Sequence, residues 1–442
     1  MQLGFEDNDQ SMWEGPLPAV EYSSGSTVGL QGTRYVPSEA DVGYLLRVQT
    51  SGGAISEATK RVLPPSAAAP GRSLTKLVEH KEDDPLRFSL MTYNCLAEVY
   101  CNKKMYPYCD EGHVAWNFRK KNLLAEIVEM SPDIACLQEV QADHFNEWWE
   151  PQMEAHGYSS LYTMKNRVAM GAAGKMDGCA MFWKSAKFTK VESQVLDFDG
   201  CAREMYHKGE LGDVDADPDG SMGSLRRLIR GNVAQVVRMR LKDPGAYGRE
   251  VHVSNTHFVS DEKYADVKLA QAQALLTNLR RISEGWMGGG SIGGAAGKLP
   301  LCVTGDFNSL PVSAVFALLR HGRVRPDEMM SNNVHTGERL PFPEDAVPFP
   351  RLGHTLDLVN VNDELNVYDP GADESTFTNF TQGFIGTLDY LWYAQNEIEV
   401  LEKLELHPKS EYQRRIALPN AQYSSDHVSL FATFRLKEAS WK

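Results

Sequence analysis

The sequence predicts an α/β fold in which two mixed β-sheets pack face to face with helices outside. Two observations carry this expectation: short β-rich apolar runs outnumber helical stretches, and many of those runs follow one another closely enough to be antiparallel neighbours. A doubly wound parallel sheet would instead alternate strand and helix throughout.

The elements follow in chain order. RFSLMTYN, beginning at Arg87, reads as a strand, and Phe118 to Met130 as a helix, because Leu123, Leu124, Ile127 and Val128 recur at helical spacing. DIACLQEV reads as a buried strand, and GCAMFWK, VAQVVRMRL and VHVSNTH as further strands. A second helix is expected from about Asp266 to Ile282, after which PLCVTGDFN, LDYLWYA and HVSLFATFRL complete the set. The run GWMGGGSIGGAAG follows a helix and precedes a strand, the reverse of a dinucleotide or phosphate-loop context, so it reads as a loop.

At 442 residues the chain suits one large domain with a small appendage. Residues 1–72 stand apart, with Ser and Gly runs, a strand-like piece from Tyr44 to Gln49, and LPPSAAAPGR, whose prolines break helices and central strands. They are expected to form a small β-rich segment and a linker ahead of the main domain at 73–442.

The formal net charge of −14 has the wrong sign for a protein that holds nucleic acid by a broad basic face, so any polyanion must be held locally. Two short basic clusters, Arg226 with Arg227 and Arg230, and Arg414 with Arg415, read as solvated charge. Seven scattered cysteines without a C-x-x-C pair argue against a disulfide framework or zinc site and fit a reducing cytosol or nucleus. Apolar stretches fall well short of the ~20 residues that span a bilayer. MQLGFEDNDQ lacks the basic and apolar parts of a secretory signal, so no membrane association is expected.

Five predicted strand ends carry a polar group that is costly to bury alone: Asn94, Glu139, His257, Asp306 with Asn308, and Asp426 with His427. Each has a bland explanation as a loop cap or a satisfied hydrogen bond. Together, at corresponding ends of core strands, they point to a site. Oxygen ligands with imidazole and no thiolate cluster suit Mg²⁺ or Mn²⁺. Period-2 geometry is expected to put Asp306 and Asn308 on one face with Phe307 in the core, and Asn255 beside His257. A carboxylate there can hold or deprotonate a water, and a cationic His with metal can neutralise a phosphoryl oxygen.

MTYN, LQEV, DGCAMFW, NTH, GDFNSLP, GTLDY and SSDH, in that order, resemble the motifs of the endonuclease/exonuclease/phosphatase superfamily. The resemblance implies a deoxyribonuclease-I-like four-layer sandwich. DEKYADVKLAQAQALL, TFTNFTQGFIGTLDYLWY, ALPNAQYSSDHVSLFATFRL and, near the front, RYVPSEADVGYLLRVQ resemble the plant and protist branch of the carbon-catabolite-repressor-type deadenylases. That likeness implies an Mg²⁺-dependent, two-ion 3′-5′ exoribonuclease, with Mn²⁺ as a substitute. Such an enzyme removes poly(A) from single-stranded mRNA and releases 5′-AMP, in the cytoplasm or nucleus, beside other subunits of a deadenylation complex.

Carried over by position, Glu139 matches the principal metal ligand, with Asn94 in the same network, and Asp306 the residue that orients or activates water. Asn308 matches a phosphate and metal contact, and His257 a phosphate-stabilising histidine. Asp389 matches the partner of His427, and Asp426 a metal-site carboxylate, with Asp306 and His427 also in the metal centre. Phe384 falls where the family stacks an adenine, a contact worth about 1–3 kcal/mol per base without basic charge. The chain departs from fungal and animal relatives in lacking leucine-rich repeats, from some plant relatives in lacking a Cys-rich zinc module, and in having Glu262 after Asp261 where animal members have Pro.

From the residues alone, Phe384 reads rather as core, Asp177 as a turn residue, Trp148 and Trp149 as packing, and Cys95 and Cys136 as chemically inert. The motifs leave open a phosphodiesterase or phosphatase acting on 2′,5′-oligoadenylate or a nucleotide, and a non-catalytic adaptor.

Overall fold

The structure, a computed structural model, describes residues 2–6, 45–49, 57, 71–166, 176–208, 223–286, 300–325, 328, 330–332, 339–342, 352–362, 377–413 and 416–438. The chain divides into two compact units, Met1–Ala68 and Ala69–Lys442. In the first, Gln2–Glu6 pairs antiparallel with Leu45–Gln49, the strand-like piece legible in the sequence. Most of the Pro/Ala-rich stretch, most of the glycine-rich run after Trp286, and Arg414 with Arg415 lie outside the described residues.

The second unit is built on two mixed sheets. One has seven strands, in spatial order Leu74–Lys76, Ile398–Leu404, Leu430–Leu436, Arg87–Asn94, Ile134–Gln141, Asp177–Lys184 and Tyr158–Met164. The other has six, in order Leu358–Asn360, Asp389–Ala394, Leu301–Asp306, Glu250–His257, Val233–Leu241 and Phe188–Asp197. Each sheet has one parallel pair at its heart, Arg87–Asn94 with Ile134–Gln141 and Glu250–His257 with Leu301–Asp306. The sequence thus predicts the class correctly: an α/β sandwich of two mixed sheets with helices outside.

Period-2 alternation explains why the strands read as near-continuous apolar runs, because both faces of each are covered. Phe88 and Leu90, Ile134 and Cys136, and Met181 and Trp183 point between the sheets, where they meet Val237, Met239, Val251, Val253, Cys302 and Leu391. The intervening Met91, Tyr93, Ala135, Leu137, Ala180 and Phe182 pack against Leu123 and Ile127 of the helix Trp116–Met130. On the far side, Val236, Val303, Tyr390 and Trp392 pack against the helices Ala265–Trp286 and Ala314–His321. Four layers result.

Helix boundaries differ from the sequence expectation where tertiary contacts set them. Trp116–Met130 begins two residues early because Trp116 is buried and stacks on His144 at 4.1 Å. Ala314–His321 was not anticipated, although its signals are present. Ser313 Oγ accepts from Phe316 N, and Gly322 stops the helix in the left-handed region at φ 67°. Among the described residues no helix is long and apolar enough to cross a membrane.

Gly305 is among the glycines that sterics make obligatory. Gly305 has φ 145°, and a Cβ there would lie 2.0 Å from Thr256 O on the neighbouring strand. Gly305→Ala is therefore expected to lose roughly 3 kcal/mol or more in urea denaturation. Gly285→Ala, at an exposed helical position with open space around it, should gain about 0.5–1 kcal/mol.

Candidate active site

The layer between the sheets changes from apolar to polar toward one end, and the alternation is read straight along each strand. Phe88 and Leu90 are followed on the same face by Thr92 and Asn94, Val251 and Val253 by Asn255 and His257, and Cys302 by Thr304 and Asp306. The first polar rung is bonded across the interface, with Gln138 Oε1 left without a partner. Gln138 Nε2 donates to Thr92 Oγ1 at 3.0 Å and to Asn255 Oδ1 at 2.8 Å, while Asn255 Nδ2 donates to Leu137 O and Ala180 O across the interface. The next rung is the site.

Register places three of its side chains abreast. His257 pairs with Asp306 across the parallel strands, and Asp306 with Asp389 across the antiparallel ones. Asp306 Oδ2 is the meeting point: Asn94 Nδ2, from the other sheet, donates to it at 3.0 Å, with His257 Nε2 at 3.5 Å and His427 Nε2 at 3.7 Å. Asn94 Nδ2 also reaches Glu139 Oε1 at 3.2 Å, and His257 Nε2 lies 4.0 Å from that oxygen. Asp389 Oδ2 lies 2.7 Å from His427 Nδ1 and accepts from Thr378 Oγ1 at 2.6 Å, which fixes the ring.

Asp426 enters by a different route. Its Oδ2 accepts from Tyr106 OH at 2.9 Å and Asn379 Nδ2 at 3.3 Å. Ser425 Oγ donates to Asn94 O at 2.6 Å, tying the SSDH turn to the end of the Arg87–Asn94 strand. Arg119, fully buried on the first long helix, clamps the same junction by donating to Cys95 O, Leu96 O and Ser424 O. Sequence reasoning missed Arg119 and Tyr106; an Arg on the buried face of an amphipathic helix was the available signal.

Three expectations are corrected. Asn308 does not continue the strand: Leu301–Asp306 ends first, and Asn308 sits at φ 48°. Its backbone N–H closes on Asp306 Oδ1 at 2.8 Å while its side chain donates to Phe258 O at 3.0 Å, so the two residues are joined by a side-chain turn and not by a shared strand face. Phe307 does point into the core. Asp177 is not a turn residue but the buried first residue of its strand, 2.6 Å from Lys165 Nζ. Lys165, also buried, lies 3.0 Å from His257 Nδ1, so an Asp177–Lys165–His257 chain sets the ring from behind. Phe384 is half-buried in a turn, not in the core, with Gly386 beneath it: a Cβ on Gly386 would come 2.7 Å from the ring.

Glu139 holds φ 56° at a bulge between Leu137 and Val140, a strained conformation for a residue with a side chain. It is kept there by Ala97 N donating to Oε2 at 2.9 Å and Asn94 to Oε1.

The electrostatics are those of an unneutralised acidic cluster. Burial, and then Asp389, push Asp306 up to about 7 against the opposing pull of His427 and two hydrogen bonds. Burial followed by Asp177 raises Glu139. Burial alone would lower His427, but Asp389, Asp426 and Asp306 outweigh it and hold the imidazole well above its usual range. Asp389 Oδ1 and Asp426 Oδ1 are buried without a hydrogen-bond partner. Asp306, Asp389 and His427 bring ligand atoms within 4.8 Å of one another. An oxygen-rich donor set with orphaned carboxylate oxygens fits a hard divalent cation.

With this geometry in view, the chain's relationships are direct. Residues 91–427 match the Endonuclease/Exonuclease/phosphatase family. The chain belongs to that family. Within the family it is similar to Carbon catabolite repressor protein 4 homolog 1 of Arabidopsis thaliana, at 32% identity, covering 91% of this chain and 69% of that protein. It is 30% identical to the CCR4-Not complex 3′-5′-exoribonuclease subunit Ccr4 of Yarrowia lipolytica, covering 79% of this chain and 48% of that one. Among solved structures, ANGEL2, a 2′,3′-cyclic phosphatase in complex with adenosine-2′,3′-vanadate, superposes with a TM-score of 0.63 at 25% identity, covering 84% of this chain and 100% of that one. The family's deoxyribonuclease-I-like sandwich is the fold seen here.

Lys165→Met should cost roughly 3–5 kcal/mol, because it removes the cation facing the buried Asp177. Adding Asp177→Asn to that variant should restore most of the loss, measured by urea denaturation of the two single variants and the double variant.

Proposed function

We propose that this chain is a divalent-metal-dependent 3′-5′ exoribonuclease that removes adenylates from the poly(A) tails of mRNA and releases 5′-AMP. The observation that carries the reading is the convergence of Asn94, His257 and His427 on one oxygen of Asp306, beside Glu139. All five can reach a single phosphate. The names of the relatives in Arabidopsis and Yarrowia support the finer activity, and those relatives make the other subunits of a deadenylation complex the expected partners in the cytoplasm.

In this reading Asp306 receives the proton of the attacking water while Asn94 holds its carboxylate in place. Water oxygen bonds to the phosphorus of the last linkage, the bond from phosphorus to the preceding 3′ oxygen breaks, and that oxygen is protonated from solvent. His257, oriented by Lys165, and His427, oriented by Asp389, face the phosphoryl oxygens and offset the charge that develops there. Glu139, Asp306 and Asp426 would hold Mg²⁺, with Asn308 and His427 adjacent, and a second ion is expected in the same cluster. When bound, Mg²⁺ neutralises phosphate charge and lowers the pKa of its water. Phe384, seated on Gly386, is the stacking platform for the terminal adenine.

A second reading has a specific observation behind it, the likeness to a 2′,3′-cyclic phosphatase. The same centre could act on a terminal phosphate, on 2′,5′-linked adenylate or on a nucleotide.

The test is a time course on 5′-labelled RNA ending in poly(A), beside poly(U), poly(C), 2′,5′-linked and cyclic-phosphate-ended controls. A one-nucleotide ladder confined to 3′,5′ poly(A) and abolished by EDTA is expected. Equal cleavage of all tails would remove the adenine specificity, and turnover of the cyclic or 2′,5′ substrate alone would favour the second reading. Asp306→Asn should lower kcat by roughly 10²–10⁴-fold, and Phe384→Ala should raise KM for oligo(A) by about 5- to 100-fold. In calorimetry Mg²⁺ should raise the Tm of the wild-type chain and leave that of Glu139→Gln unmoved.

A further inference from the structure

We propose that Tyr264 and Arg230, with the exposed Arg226 on the helix that leads to them, form a binding site for the retained RNA strand on the 5′ side of the scissile phosphate. The proposal rests on the exoribonuclease reading and adds where the polymer lies.

The basic cluster expected to be plain solvated charge is only partly so. Arg227 is committed: its Nε and Nη2 donate to Asp266 at 2.7 and 3.0 Å, and Nη2 also to Lys263 O. Lys263 is committed to Asp261 at 2.7 Å. Arg226 and Arg230 make no ion pair among the described residues. Arg230 lies flat against Tyr264, 4.0 Å from the ring centroid, and its Nε is buried without a hydrogen-bond partner. Arg227 and Lys263 complete a ring of cations around the tyrosine at 5.2 and 5.1 Å. The segment's remaining carboxylate, Glu262, is exposed.

Position gives this cluster its meaning. Gly231 O accepts from Asn166 N, next to Lys165, and Asn232 Nδ2 donates to His257 O at 2.9 Å. Phe258 to Ser260 lead from His257 to Tyr264, and Lys268 Nζ ties Ser260 O to Asn308 O. The patch is therefore built into the loops that flank His257. Strand order runs Asp389–Ala394, Leu301–Asp306, Glu250–His257, Val233–Leu241. Phe384, just before Asp389, thus lies on one side of Asp306, and Arg230, just before Val233, on the other. At ~4.8 Å per strand, the Val233 end of that strand stands about 10 Å from Asp306, and Arg230 lies three residues further on.

A strand whose 3′ nucleoside rests on Phe384 and whose last linkage meets Asp306 continues toward Tyr264. Guanidinium groups and an aromatic ring are the groups that hold single-stranded RNA, through phosphate contacts and stacking that tolerate any base. Two arginines without an ion pair among the described residues also offer a chain of net charge −14 a local place to hold a polyanion.

The test compares an oligo(A) 20-mer with the dinucleotide ApA, using the full chain with Mg²⁺ and the Arg230→Ala, Tyr264→Ala and Arg226→Ala variants. ApA carries none of the upstream phosphates that the arginines would meet. The ratio of kcat/KM for the 20-mer to that for ApA should fall by roughly 5- to 100-fold in Arg230→Ala and Tyr264→Ala. The salt dependence of log KM for the 20-mer should flatten by about one in each arginine variant. Unchanged ratios, or equal losses on both substrates, would overturn the proposal. Anisotropy of the labelled 20-mer in EDTA reads the patch without chemistry, and its affinity should drop in the same variants. If the wild-type chain hydrolyses neither substrate, the exoribonuclease reading fails while anisotropy still decides the patch. Tyr264→Phe, which keeps the ring, should retain most of the ratio and so separates stacking from a folding defect.

Discussion

One carboxylate oxygen, Asp306 Oδ2, is where the two sheets meet chemically. Asn94 reaches it from the seven-stranded sheet, His257 and His427 face it from their own sides, and the turn at Asn308 holds the carboxylate's other oxygen. A hydrogen bond tolerates only a few tenths of an ångström, so the spacing and register of the sheets must hold to that tolerance. The backbone at Gly305 shows how tightly: the neighbouring strand leaves no room for a methyl group there.

This constraint works against stability. Asp306, Asp389, Asp426 and Glu139 are brought together out of water, and the raised pKa of Asp306 and Glu139 records the cost. Glu139 and Asn308 add strained left-handed backbone. The offset comes from elsewhere, from three apolar layers packed on both faces of both sheets. The apolar part of the inter-sheet layer is thus the foundation on which its polar end stands, and a divalent cation would relieve the same repulsion that the core now absorbs.

The flanks of Asp306 are chemically unequal. Toward Asp389 lies a half-buried aromatic on a glycine seat, Phe384 on Gly386. Toward His257 lie a buried lysine, Lys165, and beyond it the arginines around Tyr264. In the proposed function, the arginines around Tyr264 supply local positive charge for the RNA on one side of Asp306.

Much of this was legible in the chain. Alternation marked the strands, and polar residues ending apolar runs marked Asn94, Glu139, His257, Asp306 and His427, because burying such groups is costly enough to demand a reason. Ser313 and Gly322 carried readable helix signals that went unused. Other features had no local signature. Lys165, Asp177 and Tyr106 look like ordinary residues until strands distant in sequence bring each to its partner, and Arg226 and Arg230 are set apart by making no ion pair among the described residues. The sequence by itself determined the fold class and the residue types at the strand ends, since periodicity and the cost of burial are local properties. Only the tertiary structure decided that Asn308 closes a turn, that Asp177 stands behind His257, and which cations gather around Tyr264, since those depend on register between segments that the chain order does not specify.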